Sequence, residues 1–369
     1  MKKKSSKALV LSTLLVVSTS NMVAPIYSFA SEKTTQENSQ NTKEPNKEPT
    51  LGPNELAQKL GKAYTNIAKV SIHARVISQQ TDVSLEDFDK KIEGSIVHDQ
   101  ELARGNSKNW LQNIVPMALK QAQGIIDYNT QYQNYHEVLI QAAKKHDKQQ
   151  LLAGLEKLKK KLTSNREGSQ ELKNQVDKYQ NDLYTDERNY KSHIATLNDE
   201  VSAKAKEIEQ LNKKIEMLHN CVDGQLDRME KRFTNIWDNP DGAWGGFVSF
   251  LKVASGVNAY DSIADMKQVK EAEEELVQLQ NDNKKHKELE NLTVASKSLK
   301  KISSEIQNAQ SALEDVTKQW TNIINQFDGL INQIENSKDI DETFWIFVEK
   351  DLETAKDQWA GIQKEIKGS

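Results

Sequence analysis

The side chains best suited to acid–base, nucleophilic or metal chemistry in this chain are seven histidines and one cysteine. The sequence contains none of the spacings that mark a zinc-protease helix, a nucleophile elbow or a phosphate-binding loop. His219 and Cys221 are two residues apart on a predicted helix, so they lie on different faces and make a poor thiol–imidazole or metal pair. The pattern predicts a non-enzymatic protein without cofactor or metal. Most of the histidines are expected to be solvated on helix surfaces. The seven are His73, His98, His136, His146, His193, His219 and His286.

A different chemistry, contact with an apolar phase, is indicated by the segment Phe233–Asp265. Its centre, Ala243–Val257, carries one charge, Lys252, in a chain of which 28 % of the residues are charged. The segment is too short to cross a membrane as one helix, which needs ~20 apolar residues, but long enough for a β-hairpin or short interfacial helices. A buried cap that closes the end of a helical bundle is an equally good interpretation of these residues.

The remainder of the chain after Asn54 has the periodicity of long helices. Apolar residues recur at alternating spacings of three and four along three heptad seams, Leu111–Ala142, Leu172–Val222 and Leu292–Ile334. No glycine or proline lies between Ser169 and Asp223 or between Val257 and Asp328, so uninterrupted helices are expected there.

The links between these helices are predicted to be short, near Lys144–Lys148 and Ser337–Glu342, which favours antiparallel neighbours. Shorter helices are expected near Glu55–Gln79 and Thr343–Ile366. The fold class is therefore all-α: an elongated five-helix bundle of long antiparallel helices with a small head. The bundle is assigned to residues 54–232 and 266–369, and the head to residues 233–265.

The first thirty residues have the features of a secretory signal peptide. Four lysines precede a short apolar run and a small-x-small site at Ser28–Ala30, and residues 31–53 resemble a disordered leader. Secretion is the expected localisation. The formal net charge of −4 argues against a nucleic-acid partner, because no basic face would offset phosphate repulsion.

Four short segments carry a resemblance to a known family. They are Ile96–Arg104, Gly124–Thr130, Thr317–Trp320 and Ala355–Trp359, with sequences IVHDQELAR, GIIDYNT, TKQW and AKDQW. In order and spacing the chain resembles the haemolysin BL and non-haemolytic enterotoxin components, within the cytolysin A superfamily of α-helical pore-forming toxins. Within that family it looks most like the binding component B of haemolysin BL.

The resemblance implies a secreted toxin component that binds the host cell membrane and assembles with other toxin components or with its own copies into a lytic pore. It assigns Phe233–Asp265 as the apolar tongue that leaves the bundle on the target membrane. Because this tongue is short and contains Lys252, a role within a multi-part toxin is favoured. The candidate membrane-contacting residues are Trp244, Phe247, Val248, Phe250, Leu251 and Val253. The candidate hinges are Gly242, Gly245, Gly246 and Gly256, because glycine tolerates large changes in φ.

A second class of protein also fits long heptad helices. A secreted coiled-coil spacer or adhesin would need the same amphipathic helices but no activity on membranes. The apolar tongue favours the toxin interpretation, since a spacer has no use for an uncharged segment of this kind.

Overall fold

The computed structural model describes residues 51–53, 55–84, 90–197, 205–234, 266–282, 288–336 and 342–364, all within one compact unit that spans Glu48–Ser369. These residues are largely α-helical and contain no β-strand, which confirms the predicted all-α fold. The α-helices of the described residues are α1 (Leu56–Ser78), α2 (Lys90–Asn109), α3 (Val115–Lys144), α4 (Lys148–Thr196), α5 (Ala205–Thr234), α6 (Met266–Gln280), α7 (Glu288–Asn336) and α8 (Glu342–Lys364). A π-helical turn, Trp110–Ile114, joins α2 to α3 without a break.

Helices α4 and α7, each 49 residues long, pack along each other and form the main apolar interface. Every residue of the predicted heptad seam on α7 is buried except Leu330, which is half-buried. The two helices run antiparallel, because Lys159 of α4 pairs with Asp328 of α7, whereas Asp177 accepts a hydrogen bond from Gln310. The antiparallel packing expected from the sequence is thus confirmed for this pair.

A cluster of four large aromatic side chains joins α3, α7 and α8 at a second level of the bundle. The Trp359 ring lies 4.5 Å from that of Tyr128 and 6.4 Å from those of Tyr132 and Trp320. Two of their polar groups bond to neighbouring helices: the Trp320 indole N–H donates to the Ser169 hydroxyl at 3.2 Å, and the Tyr132 hydroxyl donates to the Leu352 carbonyl at 3.2 Å. The buried Tyr128 hydroxyl has no partner among the described residues. Two of the sequence segments that carry the family resemblance therefore end in core tryptophans.

The residues just before α1 belong to this packing. Leu51, Gly52 and Pro53 are buried, and the Leu51 carbonyl accepts a hydrogen bond from the Trp359 indole at 3.1 Å. The sequence had assigned residues 31–53 to a leader without structure, so this last part of it is corrected: Leu51 supplies one apolar side chain and one acceptor to a tryptophan that needs both.

Helix α1 is the central element of the bundle. It packs against α2, α5, α6 and α7, and 18 of its 23 residues are buried. Because helices surround it, polar side chains on α1 are buried as well, among them Lys69, Ser71 and His73. Ser71 accepts a hydrogen bond at 3.0 Å from the indole of Trp110, which ties the π-helical turn to α1.

Two helices that the sequence predicted as uninterrupted end early, so the described residues form more than five helices. Helix α4 ends at Thr196 and α5 begins at Ala205, while α6 ends at Gln280 and α7 begins at Glu288. The second end has a clear physical cause. The Asn281 side chain accepts a hydrogen bond from the Thr81 amide and donates one to the Gln79 carbonyl, so it bonds to the chain after α1 and not to its own helix.

The predicted link at Lys144–Lys148 is confirmed. Helix α3 ends at Lys144, His146 takes a left-handed conformation with φ of 53°, and Asp147 caps α4 by accepting a hydrogen bond from the Gln150 amide at 3.0 Å. The second predicted link, near Ser337–Glu342, falls on residues 337–341, outside the described residues.

We predict that Trp359→Ala destabilises the bundle by about 3–5 kcal/mol, because it removes a fully buried indole and orphans the Leu51 carbonyl. Urea unfolding followed by far-ultraviolet circular dichroism measures the loss. Phe347→Ala, at a side chain that is 57 % exposed on the same helix, should change stability by less than about 0.5 kcal/mol. Equal effects of the two substitutions would contradict the assignment of Trp359 to the core.

Candidate functional site

The predicted tongue lies almost wholly outside the described residues. All candidate membrane-contacting residues fall in residues 235–265, which the description does not cover: Trp244, Phe247, Val248, Phe250, Leu251 and Val253. The candidate hinges Gly242, Gly245, Gly246 and Gly256 fall there too. The structure does describe the two helices that flank this segment, since α5 ends at Thr234 and α6 begins at Met266.

Helices α5 and α6, here called the α5–α6 pair, run antiparallel. Lys214 near the start of α5 forms an ion pair of 2.6 Å with Glu275 in the second half of α6, and Gln225 hydrogen-bonds to Gln268 near the start of α6. The two ends that lead into residues 235–265 therefore lie side by side. The pair rests on α1 and α7, so its interface with these helices decides how firmly the segment is held.

Charged side chains form much of the interface between α1 and the α5–α6 pair. Lys69 of α1 is 2.5 Å from a carboxylate oxygen of Asp227 on α5. Arg75 of α1 makes two hydrogen bonds of 2.8 Å to the carboxylate of Glu273 on α6, and both side chains are nearly buried. Pairs of this kind contribute little net stability, because water solvates the same charges well when the helices separate.

A third ionic contact joins α5 to α7. The Lys301 ammonium lies 2.5 Å from Asp223 of α5 and 2.9 Å from Glu305 of its own helix. Burial raises the pKa of Asp223, and the adjacent Lys301 opposes that rise. The α5–α6 pair is thus connected to both α1 and α7 by ion pairs between side chains.

The apolar part of the interface is divided. One group of residues at the far end from the tongue forms a small cluster separate from the main core: Val76, Leu211, Ile215, Leu276 and Val294. Nearer the tongue, α5 and α6 contribute to the main core: Val222, Leu226, Met229, Met266, Val269 and Ala272. Polar and charged residues lie between these two levels.

Two of those polar residues are histidines, His73 on α1 and His219 on α5. Their rings meet edge to face with centroids 4.7 Å apart, and both are buried. Neither nitrogen of His73, nor Nε2 of His219, has a hydrogen-bond partner. The sequence had predicted solvated histidines; His73, His219 and His136 correct that prediction, because helices pack on the faces that carry them.

Burial is the main cause of the unusual titration of this pair. It lowers the pKa of His219 to about 4, with smaller contributions from Lys301 and Lys297. The pKa of His73 is lowered well below its usual range by burial, and then by His219, Lys301, Arg75 and Lys69. Both imidazoles are therefore neutral at neutral pH, held in a position where a positive charge is unfavourable.

One side of the pair borders a groove between α5 and α7. The groove has a volume of about 360 Å³ and is lined by polar and charged residues, among them His219, Lys297, Lys300 and Lys301. Solvent thus reaches the neighbourhood of His219 without separation of the helices.

The segment Ile96–Arg104 fixes the chain that follows α1. The Gln100 side chain accepts a hydrogen bond from the Val83 amide and donates one to the Thr81 carbonyl. Arg104 pairs with Asp82 at 2.7 Å, while Asp99 contacts His193 of α4 at 2.6 Å. The polar residues of this family-like segment therefore have a structural role: they hold the exit of α1 against α2 and α4.

An exposed apolar pair on α8 was missed by the sequence analysis. Ile346 and Phe347 are each 57 % exposed, beside the buried Trp345, whose ring stacks on His146. The signal was available, because Phe344–Val348 is an unbroken apolar run outside the heptad pattern.

Neither a metal centre nor a transmembrane helix is found in the part of the chain that is described. No three histidine, cysteine, aspartate or glutamate side chains in it are grouped closely enough to hold an ion. None of its helices combines the length and the hydropathy that crossing a bilayer requires.

The fold belongs to the class found in α-helical pore-forming toxin components. The chain superposes on the HblL1 toxin component of Bacillus cereus with a TM-score of 0.66 and 20 % identity, over 86 % of this chain and 97 % of that one. Soluble SmhB, from the tripartite α-pore-forming toxin Smh of Serratia marcescens, gives a TM-score of 0.58 at 16 % identity over 86 % and 92 % of the two chains. Soluble AhlB, from the tripartite toxin AHL of Aeromonas hydrophila, gives 0.56 at 16 % identity over 85 % and 94 %.

Sequence comparison shows which family the chain resembles. Residues 50–225 match the family model of the Bacillus haemolytic enterotoxin (HBL). A Bacillus cereus relative, described as an uncharacterised protein in the hblA 3′ region, is 27 % identical over 146 residues, which are 38 % of this chain and 89 % of the relative. The resemblance of the chain to the haemolytic enterotoxin (HBL) family is thus confirmed over residues 50–225.

This family consists of pore-forming toxin components, so the prediction of a non-enzymatic protein is confirmed. The finer resemblance to the binding component B stays a prediction.

We predict that Glu273→Gln loosens the α5–α6 pair, because it replaces the charged acceptor of the nearly buried Arg75 guanidinium by a neutral amide. The single cysteine of the chain, Cys221 on α5, is half-buried and reports the change through its rate of thiol labelling relative to the unfolded protein. Protection should fall on the order of tenfold, the equivalent of about 1.4 kcal/mol for one charged hydrogen-bonded contact.

The matched control is Glu314→Gln, which breaks an exposed ion pair of 2.8 Å with Lys318 on α7. Exposed pairs of this kind contribute about 0–1 kcal/mol, so Cys221 protection should stay near its wild-type value. A Glu273→Gln protein as well protected as the control would show that the Arg75 contact does not hold α6 in place.

Proposed function

We propose that this chain is a secreted component of a pore-forming toxin. The component binds host cell membranes through residues 235–265. It then assembles into a lytic pore with partner components or with its own copies. Three features support this: the match of residues 50–225 to the HBL family model, the apolar composition of Ala243–Val257, and the N-terminal Met1–Ala30 segment with the features of a signal peptide.

The observation that carries the proposal is the character of the interface beneath the α5–α6 pair. A toxin of this kind must leave water as one structure and enter lipid as another, which requires an element that separates from the rest without unfolding it. Lys69, Arg75 and Lys301 connect the pair through ions that water solvates when the pair leaves. The interface between α4 and α7 is largely apolar, and water does not solvate separated apolar surfaces as it solvates separated charges.

Partner components are favoured over action by the chain alone. The tongue is short, and Lys252 near its centre would be costly at the middle of a bilayer. SmhB and AhlB, which share the fold, belong to toxins described as tripartite. We therefore expect full lysis only when other components are present.

We predict that Phe250→Asp abolishes membrane activity, because it places a charge in the segment proposed to enter lipid. Purified mature protein is assayed for dye release from liposomes and for lysis of red cells, alone and with culture supernatant from an HBL-producing strain. The substitution should remove activity in every condition where the wild type is active, with circular dichroism unchanged.

The control variant is Phe347→Asp, which makes the same chemical change at an exposed phenylalanine of α8. It should retain the activity of the wild type. Retained activity in Phe250→Asp would remove residues 235–265 from their proposed role. The absence of lysis and membrane binding by the wild type in all conditions would leave a coiled-coil spacer as the better description.

A further inference from the structure

The two buried histidines between α1 and α5 have no structural explanation in the packing around them. Three of their ring nitrogens lack hydrogen-bond partners in a place where an apolar side chain of similar size would fit without that cost. They lie at the interface that the α5–α6 pair must leave if it is to carry residues 235–265 away from the bundle. An unpaired buried polar group at a separable interface suggests a regulatory role.

The charges around the pair come from all four helices that meet there. Helix α1 supplies Lys69 and Arg75, and α7 supplies Lys297 and Lys301. The carboxylates that face these cations are each already engaged: Asp227 with Lys69, Glu273 with Arg75, and Asp223 and Glu305 with Lys301. Glu216 of α5 lines the groove beside His219, together with Lys297, Lys300 and Lys301, so cations outnumber carboxylates there and a proton added to His219 meets an excess of positive charge.

We propose that His73 and His219 form an acid-sensitive latch, which keeps the α5–α6 pair docked on α1 and α7 while both rings are neutral and releases it when a ring is protonated. The groove between α5 and α7 gives the proton a route, because His219 lines it. The latch rests on the proposed function, since it regulates the movement which that function requires.

The direction of the pH effect follows from the two states of His219. Above its ordinary pKa of 6.5 the ring is neutral in both the docked and the released pair, so docking is unaffected. As the pH falls from 6.5 towards 4, a released His219 binds a proton that the docked ring does not bind, and docking weakens. For this residue alone the docking constant should fall on the order of tenfold or more between about pH 7.5 and about pH 5. His73 acts in the same direction.

Two nearby carboxyls act in the opposite direction. Burial raises the pKa of Asp223 and of Glu230, so these groups take up protons more readily when docked than when released. Elsewhere in the bundle, burial raises the pKa of Asp186 to about 6, with the same sign. Because these groups mask the effect of the histidines in any measurement of total stability, the test must be local to α5 and must compare histidine variants.

Thiol labelling of Cys221 provides that local measurement. Labelling uses a pyridyl disulfide that reacts in mild acid, and each rate is divided by the rate for the urea-unfolded protein at the same pH. In the wild type, the protection of Cys221 should fall tenfold or more from about pH 7.5 to about pH 5. In the His73→Leu/His219→Leu variant, which cannot take up the protons, protection should stay constant or rise with acid.

The matched control is His136→Leu, which removes a third buried histidine, 3.4 Å from Glu353 at the contact of α3 with α8. This variant should keep the wild-type pH response. If the double variant does not fold, the single substitution His219→Asn gives the same test with a side chain that does not titrate. Constant protection in the wild type, or an equal loss in the wild type and the variants without His219, would overturn the latch.

The measurement contains no membrane, so the latch and the proposed function fail in different ways. Acid release of Cys221 without lysis in any condition would reject the toxin function and keep the latch. Lysis by a protein whose Cys221 protection does not depend on pH would reject the latch and keep the function.

Discussion

Because helices surround α1, the charged and polar groups buried on it can be satisfied only by partners inside the protein, and this constraint shapes the bundle. Lys69 and Arg75 find carboxylates on α5 and α6, and Ser71 accepts a hydrogen bond from the Trp110 indole. The partners of the two cations lie on the helices that flank the predicted tongue. The central helix is thus bound to those helices partly by interactions that water replaces easily. Its contact with α7 is more extensive and includes the ion pair of Lys59 with Asp315 at 3.5 Å.

The bundle consequently has interfaces of two kinds. The α4–α7 interface and the aromatic cluster of Tyr128, Tyr132, Trp320 and Trp359 bury large apolar surfaces, whose exposure costs about 25 cal/mol per Å². The interface beneath the α5–α6 pair combines a share of the main core and a small separate apolar cluster with three ionic contacts and the imidazoles of His73 and His219. Interfaces of unequal strength let one part of a protein move while the remainder keeps its structure.

The sequence predicted those features that depend only on which residues are apolar. The heptad seam of α7, the short link after Lys144 and the all-α fold follow from local spacing, and the structure confirms them. The end of α6 could not be predicted in this way, because Asn281 stops it by hydrogen bonds to residues two hundred positions away in the chain. A pattern that lacks glycine and proline does not show such a contact.

The burial of the histidines was unpredictable for a related reason. In the local sequence of α1, Lys69 and His73 are one helical turn apart and resemble a polar face directed to water. They are buried because α5, α6 and α7 cover that face, a consequence of long-range packing.

Native-state hydrogen exchange under increasing urea tests most directly whether the two kinds of interface differ in strength. The account predicts that the amides of α5 and α6 exchange through one shared opening whose free energy is well below that of α4 and α7. Exchange of all four helices through the same global unfolding would contradict it, because the α5–α6 pair would then be as firmly held as the rest of the bundle.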